Sequence, residues 1–116
     1  MDLAQDLADV VELVKGAGVR AAADRRDLRV PGVLVLLRRI RDDRLGGAYT
    51  VDWDLVIVAG NSGQGAALRA LSGITNRLYA AGLTLGDIEA ATYVDPNHSG
   101  DPLPALTATL TTECED

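Results

Sequence analysis

Tyr49-Thr50-Val51-Asp52-Trp53-Asp54-Leu55-Val56-Ile57-Val58 carries the clearest structural signal in the chain. Tyr49, Val51, Trp53, Leu55 and Ile57 alternate with Thr50, Asp52, Asp54, Val56 and Val58, the period of two by which a β-strand buries one face. The second face turns from polar to apolar along the stretch, so its far end needs cover on both sides. The spacing predicts a strand over 48–58. Just upstream, Pro31 and Gly32 open Val33-Leu34-Val35-Leu36-Leu37. This unbroken aliphatic run reads as a strand covered on both faces and central in its sheet. A charged turn from Arg41 to Gly47 would join the two strands as a hairpin.

Outward from this hairpin, the other elements follow from local pattern. Leu3, Leu7, Val10, Val11 and Val14 recur at helical spacing behind Asp2 as N-cap, with Gly16 or Gly18 as the stop, which predicts a helix over 3–16. Val19 to Ala23 reads as a short strand, followed by a charged loop from Asp24 to Arg29. After the hairpin, Gly60-Asn61-Ser62-Gly63-Gln64-Gly65 leads into a helix over 65–81, capped by Asn61 or Ser62 and ended by Gly82. Its apolar stripe is Ala67, Leu68, Leu71, Ile74, Leu78 and Ala81. Ile88–Val94 and Leu103–Thr112 supply two more strands, joined by the polar stretch Asp95 to Pro102, and Glu113 to Asp116 form an acidic fringe expected to fray. The expected fold is α+β: a mainly antiparallel sheet of four or five strands with two helices packed on one face, in the order α-β-β-β-α-β-β.

At 116 residues the chain has apolar surface for one core, so a single domain over 1–116 is expected. A 47% apolar fraction with 24% charged residues is globular composition despite a net charge of -6. The aromatic residues are Trp53, Tyr49, Tyr79 and Tyr93, with no Phe, so Leu, Val, Ile and Ala must build the core. Met1-Asp2-Leu3-Ala4-Gln5-Asp6 lacks the basic start and apolar stretch of a secretory signal, so no export is expected. Apolar runs such as Val30–Leu37 fall short of the roughly 20 residues a membrane helix needs, and no membrane contact is expected. Cys114, the single cysteine, cannot form an internal disulfide and reads as an inert thiol.

The placement of charge says more than its sum. All basic residues but Lys15 are arginine, and seven of them (Arg25, Arg26, Arg29, Arg38, Arg39, Arg41 and Arg44) lie between positions 25 and 44. Set against Asp27, Asp42 and Asp43 they leave that segment at +4, while the remainder, with 4 basic and 14 acidic residues, carries -10. A molecule with a basic patch and an acidic remainder can meet copies of itself head to tail, the arrangement that closes into rings. Arginine suits such contacts because its planar fork pairs with carboxylates bidentately. The plainer reading is a solvated patch with local ion pairs.

Three stretches imitate functional motifs and fail on specifics. Val58-Ala59-Gly60-Asn61-Ser62-Gly63-Gln64, with Asp95 and His98 downstream, has the setting of a nucleophile elbow, but Gln64 stands where glycine is needed and the chain is too short for that hydrolase sheet. A phosphate-binding loop requires Lys then Ser or Thr after its last glycine, whereas Gly65 precedes Ala66 and Ala67. Asp95-Pro96-Asn97-His98-Ser99-Gly100-Asp101 matches the first half of a calcium loop, yet Leu106 occupies the position of the bidentate glutamate. No catalytic, cofactor-binding or metal-ligating residue is assigned, no cofactor is expected, and no enzyme activity is read.

Taken together, Pro31-Gly32-Val33-Leu34-Val35, the hairpin from Gly46 to Val58, the Ala/Leu-rich helix, Ala91-Thr92-Tyr93-Val94 and Leu103 to Thr112 resemble the tail terminator, or tail-completion, proteins of long-tailed bacteriophages, especially those infecting actinobacteria. The resemblance spans nearly the whole chain in segment order and texture rather than in a signature motif. It implies a virion structural protein, assembled in the host cytoplasm and located at the head–tail junction. There a homohexameric ring would cap the head-proximal end of the tail tube, stop tube polymerisation and join tail to head connector. Its partners would be copies of itself, the tail-tube protein and the head–tail connector proteins, with DNA passing the lumen without specific binding. Arg38, Arg39, Arg41, Asp42, Asp43 and Arg44 are the candidate subunit interface. The alternatives are a head-closure or neck connector protein and, from a different class, a small anion- or nucleotide-binding α+β domain using the turn from Gly60 to Gly65.

Overall fold

Five strands form one sheet beneath two helices in the computed structural model, which describes residues 1–43, 47–60, 63–96, 100 and 102–115. The elements in chain order are α1 (Leu3–Lys15), β1 (Ala21–Ala22), β2 (Gly32–Asp43), β3 (Ala48–Val58), α2 (Gln64–Ala80), β4 (Leu85–Tyr93) and β5 (Leu103–Glu115). This is the expected α+β order. The strand order is β1-β2-β3-β5-β4, antiparallel except where β1 runs parallel to β2. The central strand is therefore β3, not the aliphatic run of β2, which lies one place off centre. With β5 13 residues long and a rise of about 3.3 Å per residue, the strands account for most of the molecule's 49 Å length.

The alternation in β3 separates two apolar clusters. Tyr49, Val51, Trp53, Leu55 and Ile57 join Val33, Val35, Ala108 and Leu110 in the main core, which also contains Val10, Val11 and Val14 of α1 and Ala67, Leu71, Ile74 and Leu78 of α2. The opposite sheet face contributes Leu34, Val58, Tyr93 and Ala105 to a smaller cluster with Ala22 and Leu28, in which neither helix takes part. The segment between β1 and β2 thus covers one end of the sheet's second face, as the all-apolar far end of β3 requires. Polar groups buried in the core have partners close by. Trp53 donates Nε1–H to Thr112 Oγ1 at 2.9 Å, Thr75 returns its hydroxyl to Leu71 O at 2.8 Å, and the Tyr49 hydroxyl donates to Asp6 Oδ2, tying α1 to β3.

Helix ends follow the expected chemistry in part. Asp2 caps α1 by accepting from Gln5 N at 3.0 Å. Helix α2 has Gly63 as its N-cap, with no side-chain cap bond, in place of Asn61 or Ser62, which lie outside the described residues. Gly82, at φ 88°, closes its other end. Arg77 Nη1 donates to Gly18 O at 3.1 Å and fastens the last turn of α2 to the turn after α1.

The sequence reading departs most from the fold at the hairpin. The expected turn from Arg41 to Gly47 begins later, because β2 continues through Arg38, Arg39, Ile40, Arg41, Asp42 and Asp43, paired with β3 as far as Ala48. Charge made this stretch look like a turn, but its partners on β3 include acidic and hydroxyl side chains, and Ile40 still packs against the core. At the other end of the same layer, Glu113 to Glu115 are paired with Ala48–Thr50 rather than frayed. Strand β4 starts three residues before the expected Ile88.

Gly32 sits where β1, β2 and the covering segment converge. A Cβ there would lie 2.5 Å from Arg29 O and 3.2 Å from Arg20 O, both backbone atoms that cannot rotate away. Gly32→Ala is expected to destabilise the fold by about 1–3 kcal/mol through overpacking. Urea denaturation checks this, with Gly60→Ala, which has open space at its Cβ, as the comparison.

Candidate functional site

Beyond its apolar end, the helix-free sheet face is polar, and its pattern depends on a β-bulge. Pairing of β2 with β3 runs in step from Gly32↔Val58 to Leu37↔Trp53, then resumes at Arg39↔Asp52 with Arg38 as the extra residue. Without that insertion, Arg39 and Arg41 would face the helices and Ile40 would face away. With it, Arg39 and Arg41 share a face with Arg38, and Ile40 returns to the core side.

The three arginines meet acceptors on the next two strands. Arg39 donates Nε–H and Nη2–H to Asp52 Oδ2 at 3.1 and 2.9 Å, and Arg41 donates Nη2–H to Asp52 Oδ1 at 2.9 Å. The Thr111 hydroxyl on β5 donates to the same Oδ1 at 2.7 Å. Arg38 reaches across β3 to Thr109 Oγ1 at 3.0 Å and lies 3.5 Å from Asp54 Oδ1. Asp52 is only 3% exposed, yet both its oxygens are saturated with donors. The Thr111 hydroxyl bond, opposed by burial and joined by the Arg39 and Arg41 guanidinium groups, holds its carboxyl down to about 2. A carboxylate so strongly anchored is not a proton donor or acceptor near neutrality; it is a structural anion. The arginine side chains stay 54–63% exposed, so their outer donors face solvent. Around them is a shallow concavity of about 210 Å³, reaching Asp87 on β4.

The structure divides the described arginines of this segment into two groups. Arg25, Arg26 and Arg29 belong to the stretch before β2, where Arg25 O faces the Tyr93 hydroxyl at 3.5 Å. Arg38, Arg39 and Arg41 lie farther along β2, roughly 20 Å away at strand rise. Of the candidate interface residues, those three are brought together. Asp42 and Asp43 continue the strand, and Arg44 lies outside the described residues. Sequence reasoning missed Asp52, Asp54, Thr109 and Thr111 as partners. The alternation placing each acid or threonine on one face was visible, but the bulge that delivers the arginines to that face was not.

The motif-like stretches place less. Asn61, Ser62, Asn97, His98, Ser99 and Asp101 lie outside the described residues. Gly63 and Gln64 instead border an apolar groove of about 390 Å³ between α2 and the β4–β5 pair, with Ala67, Leu68, Leu71, Pro104 and Leu106 in its walls. Cys114 is half-buried beside α1. No described helix is long and apolar enough to cross a membrane. In comparisons with known proteins, no family model, no curated protein and no solved structure matches this chain.

Because the folded pKa of Asp52 lies below its unfolded value of 3.8, its contribution to stability is fully present above that value and is lost as pH falls through about 2. Asp52→Asn is expected to cost about 1–3 kcal/mol at pH 7 by leaving Arg39 and Arg41 without their anion. The gap between the two proteins should narrow between pH 4 and pH 2, read from denaturation midpoints across that range.

Proposed function

We propose that this chain is a virion structural protein of the tail-terminator type: its copies form a ring, a homohexamer in the first instance, on the head-proximal end of a phage tail tube. The ring ends tube polymerisation and presents a surface to the head connector. The observation that carries this reading is a sheet that, among the described residues, is open along most of both edges, with helices on one face and an ionically cross-tied polar surface on the other. Such a sheet can extend from copy to copy without refolding. Its polar face also suits a DNA passage. Arg38, Arg39 and Arg41 would grip phosphates if unopposed, but Asp52 and Asp54 stand among them and reduce that attraction. The role turns over no substrate, and the protein would work at the head–tail junction beside tail-tube and connector proteins.

A second reading, a small anion- or nucleotide-binding domain using the glycine-rich turn before α2, is tested by thermal-shift screening against phosphates and nucleotides. A head-closure or neck role differs from the terminator role in its partner, portal or adaptor in place of tube.

Light scattering across a concentration and salt series, followed by imaging of the protein mixed with tail-tube protein, tests the proposal. Six-fold rings, or rings seated only on tube ends, are the expected outcome. A chain that stays monomeric at every concentration and salt and ignores the tube would overturn it.

A further inference from the structure

The two edges of the sheet are built from different chemistry. On one side, β1 reaches only Val33 and Leu34, so among the described residues Val35–Asp43 of β2 has no strand on its outer flank. This open stretch holds Arg38, Arg39 and Arg41 and ends in Asp42 and Asp43, so its basic part runs from Arg38 to Arg41. On the other side β4 is the last strand, and Leu85–Tyr93 holds Asp87 and Glu89 and no base. Each edge also exposes an aliphatic side chain, Leu37 at 49% and Ile88 at 39%. Unpaired edges invite strand addition, and opposite charges decide which edge meets which.

The geometry points to pairing of β2 from one copy with β4 of the next, antiparallel, as the contact that closes the ring. The direction follows from the sheet itself. Within one copy β2 and β4 run in opposite senses, so a second copy in the same orientation brings its β4 antiparallel to the first copy's β2. The lengths agree, since the open stretch of β2 and the whole of β4 are each nine residues. Allowing for the bulge of β2 at Arg38 and the irregularity of β4 between Gly86 and Glu89, the overlap sets Arg39 opposite Glu89, both on the helix-free face, and Ile40 opposite the Asp87–Ile88 step. An opposite-charge pair then stands beside an aliphatic contact of Ile40 with Ile88, each favourable across strands. Arg39 and Arg41 keep their bonds to Asp52 and turn their exposed donors to the neighbour's carboxylates. Since a basic edge meets an acidic one, the contact is heterologous and repeats until it closes. This inference rests on the ring reading only for its closure; the strand pairing stands on the edges.

The test places cysteines at the opposed positions, Arg39→Cys with Glu89→Cys, in a Cys114→Ser chain. Mild oxidation should yield a covalent ladder of dimers and higher species. A covalent dimer from the Arg39→Cys chain alone would mean that β2 meets β2 and would overturn the proposal. Glu89→Arg, at an exposed position, should weaken self-association about tenfold with the fold unchanged by circular dichroism. Unaltered assembly in that variant would count equally against the pairing. Rings that form without the 39–89 link would sink the edge contact and leave the terminator reading standing. A ladder from a protein that ignores tube ends would do the reverse.

Discussion

The pairing of β2 with β3 in a register shifted by one residue at Arg38 is the constraint on which the other features rest. On the near side of the bulge, β2 supplies Val33 and Val35 to the core beneath the helices; beyond it, Ile40 takes over that duty. The same shift moves Arg39 and Arg41 onto the face where Asp52 projects from the central strand. A strand in strict alternation would have buried guanidinium groups under α1, a cost of several kcal/mol for each uncompensated charge. The bulge avoids that cost and delivers a surface in which one buried carboxylate organises donors from two neighbouring strands.

That surface accounts for the limited meaning of the chain's charge segregation. A linear segment of +4 suggests a basic patch, yet its arginines separate along β2, and the sheet partners of Arg38, Arg39 and Arg41 include Asp52 and Asp54. What remains asymmetric is the pair of sheet edges, where among the described residues no further strand neutralises the difference. In the proposed assembly, direction comes from the edges rather than from a charged face, because only an edge couples backbone hydrogen bonds to the choice of side chain opposite.

Layering sets the other boundary on function. Both helices contribute to the cluster beneath one sheet face, held there by Val10, Val11, Val14, Leu71 and Leu78 and fastened by Tyr49 to Asp6 and Arg77 to Gly18. Among the described residues, the second face is closed only at the end where Leu28 packs with Leu34 and Val58. Gly32 makes that closure possible by admitting two backbone carbonyls at close range. The polar half needs no covering layer, because Arg38, Arg39, Arg41 and Thr111 supply donors to Thr109, Asp52 and Asp54 within the sheet surface itself.

Much of this was legible in the amino-acid sequence. The alternation from Tyr49 to Ile57, the helical spacing from Leu3 to Val14, the stop at Gly82 and the threonine ladder of β5 each declare an element, since periodicity records directly which side chains need burial. These patterns determined the α+β class and the element order. Tertiary structure alone decided the extension of β2 through Arg38–Asp43, the pairing of Glu113–Glu115, the central place of β3 and the meeting of Arg39 and Arg41 with Asp52. Charged residues enter a strand only when another strand offers them partners, and that offer depends on register between segments distant in the chain, which no local pattern records.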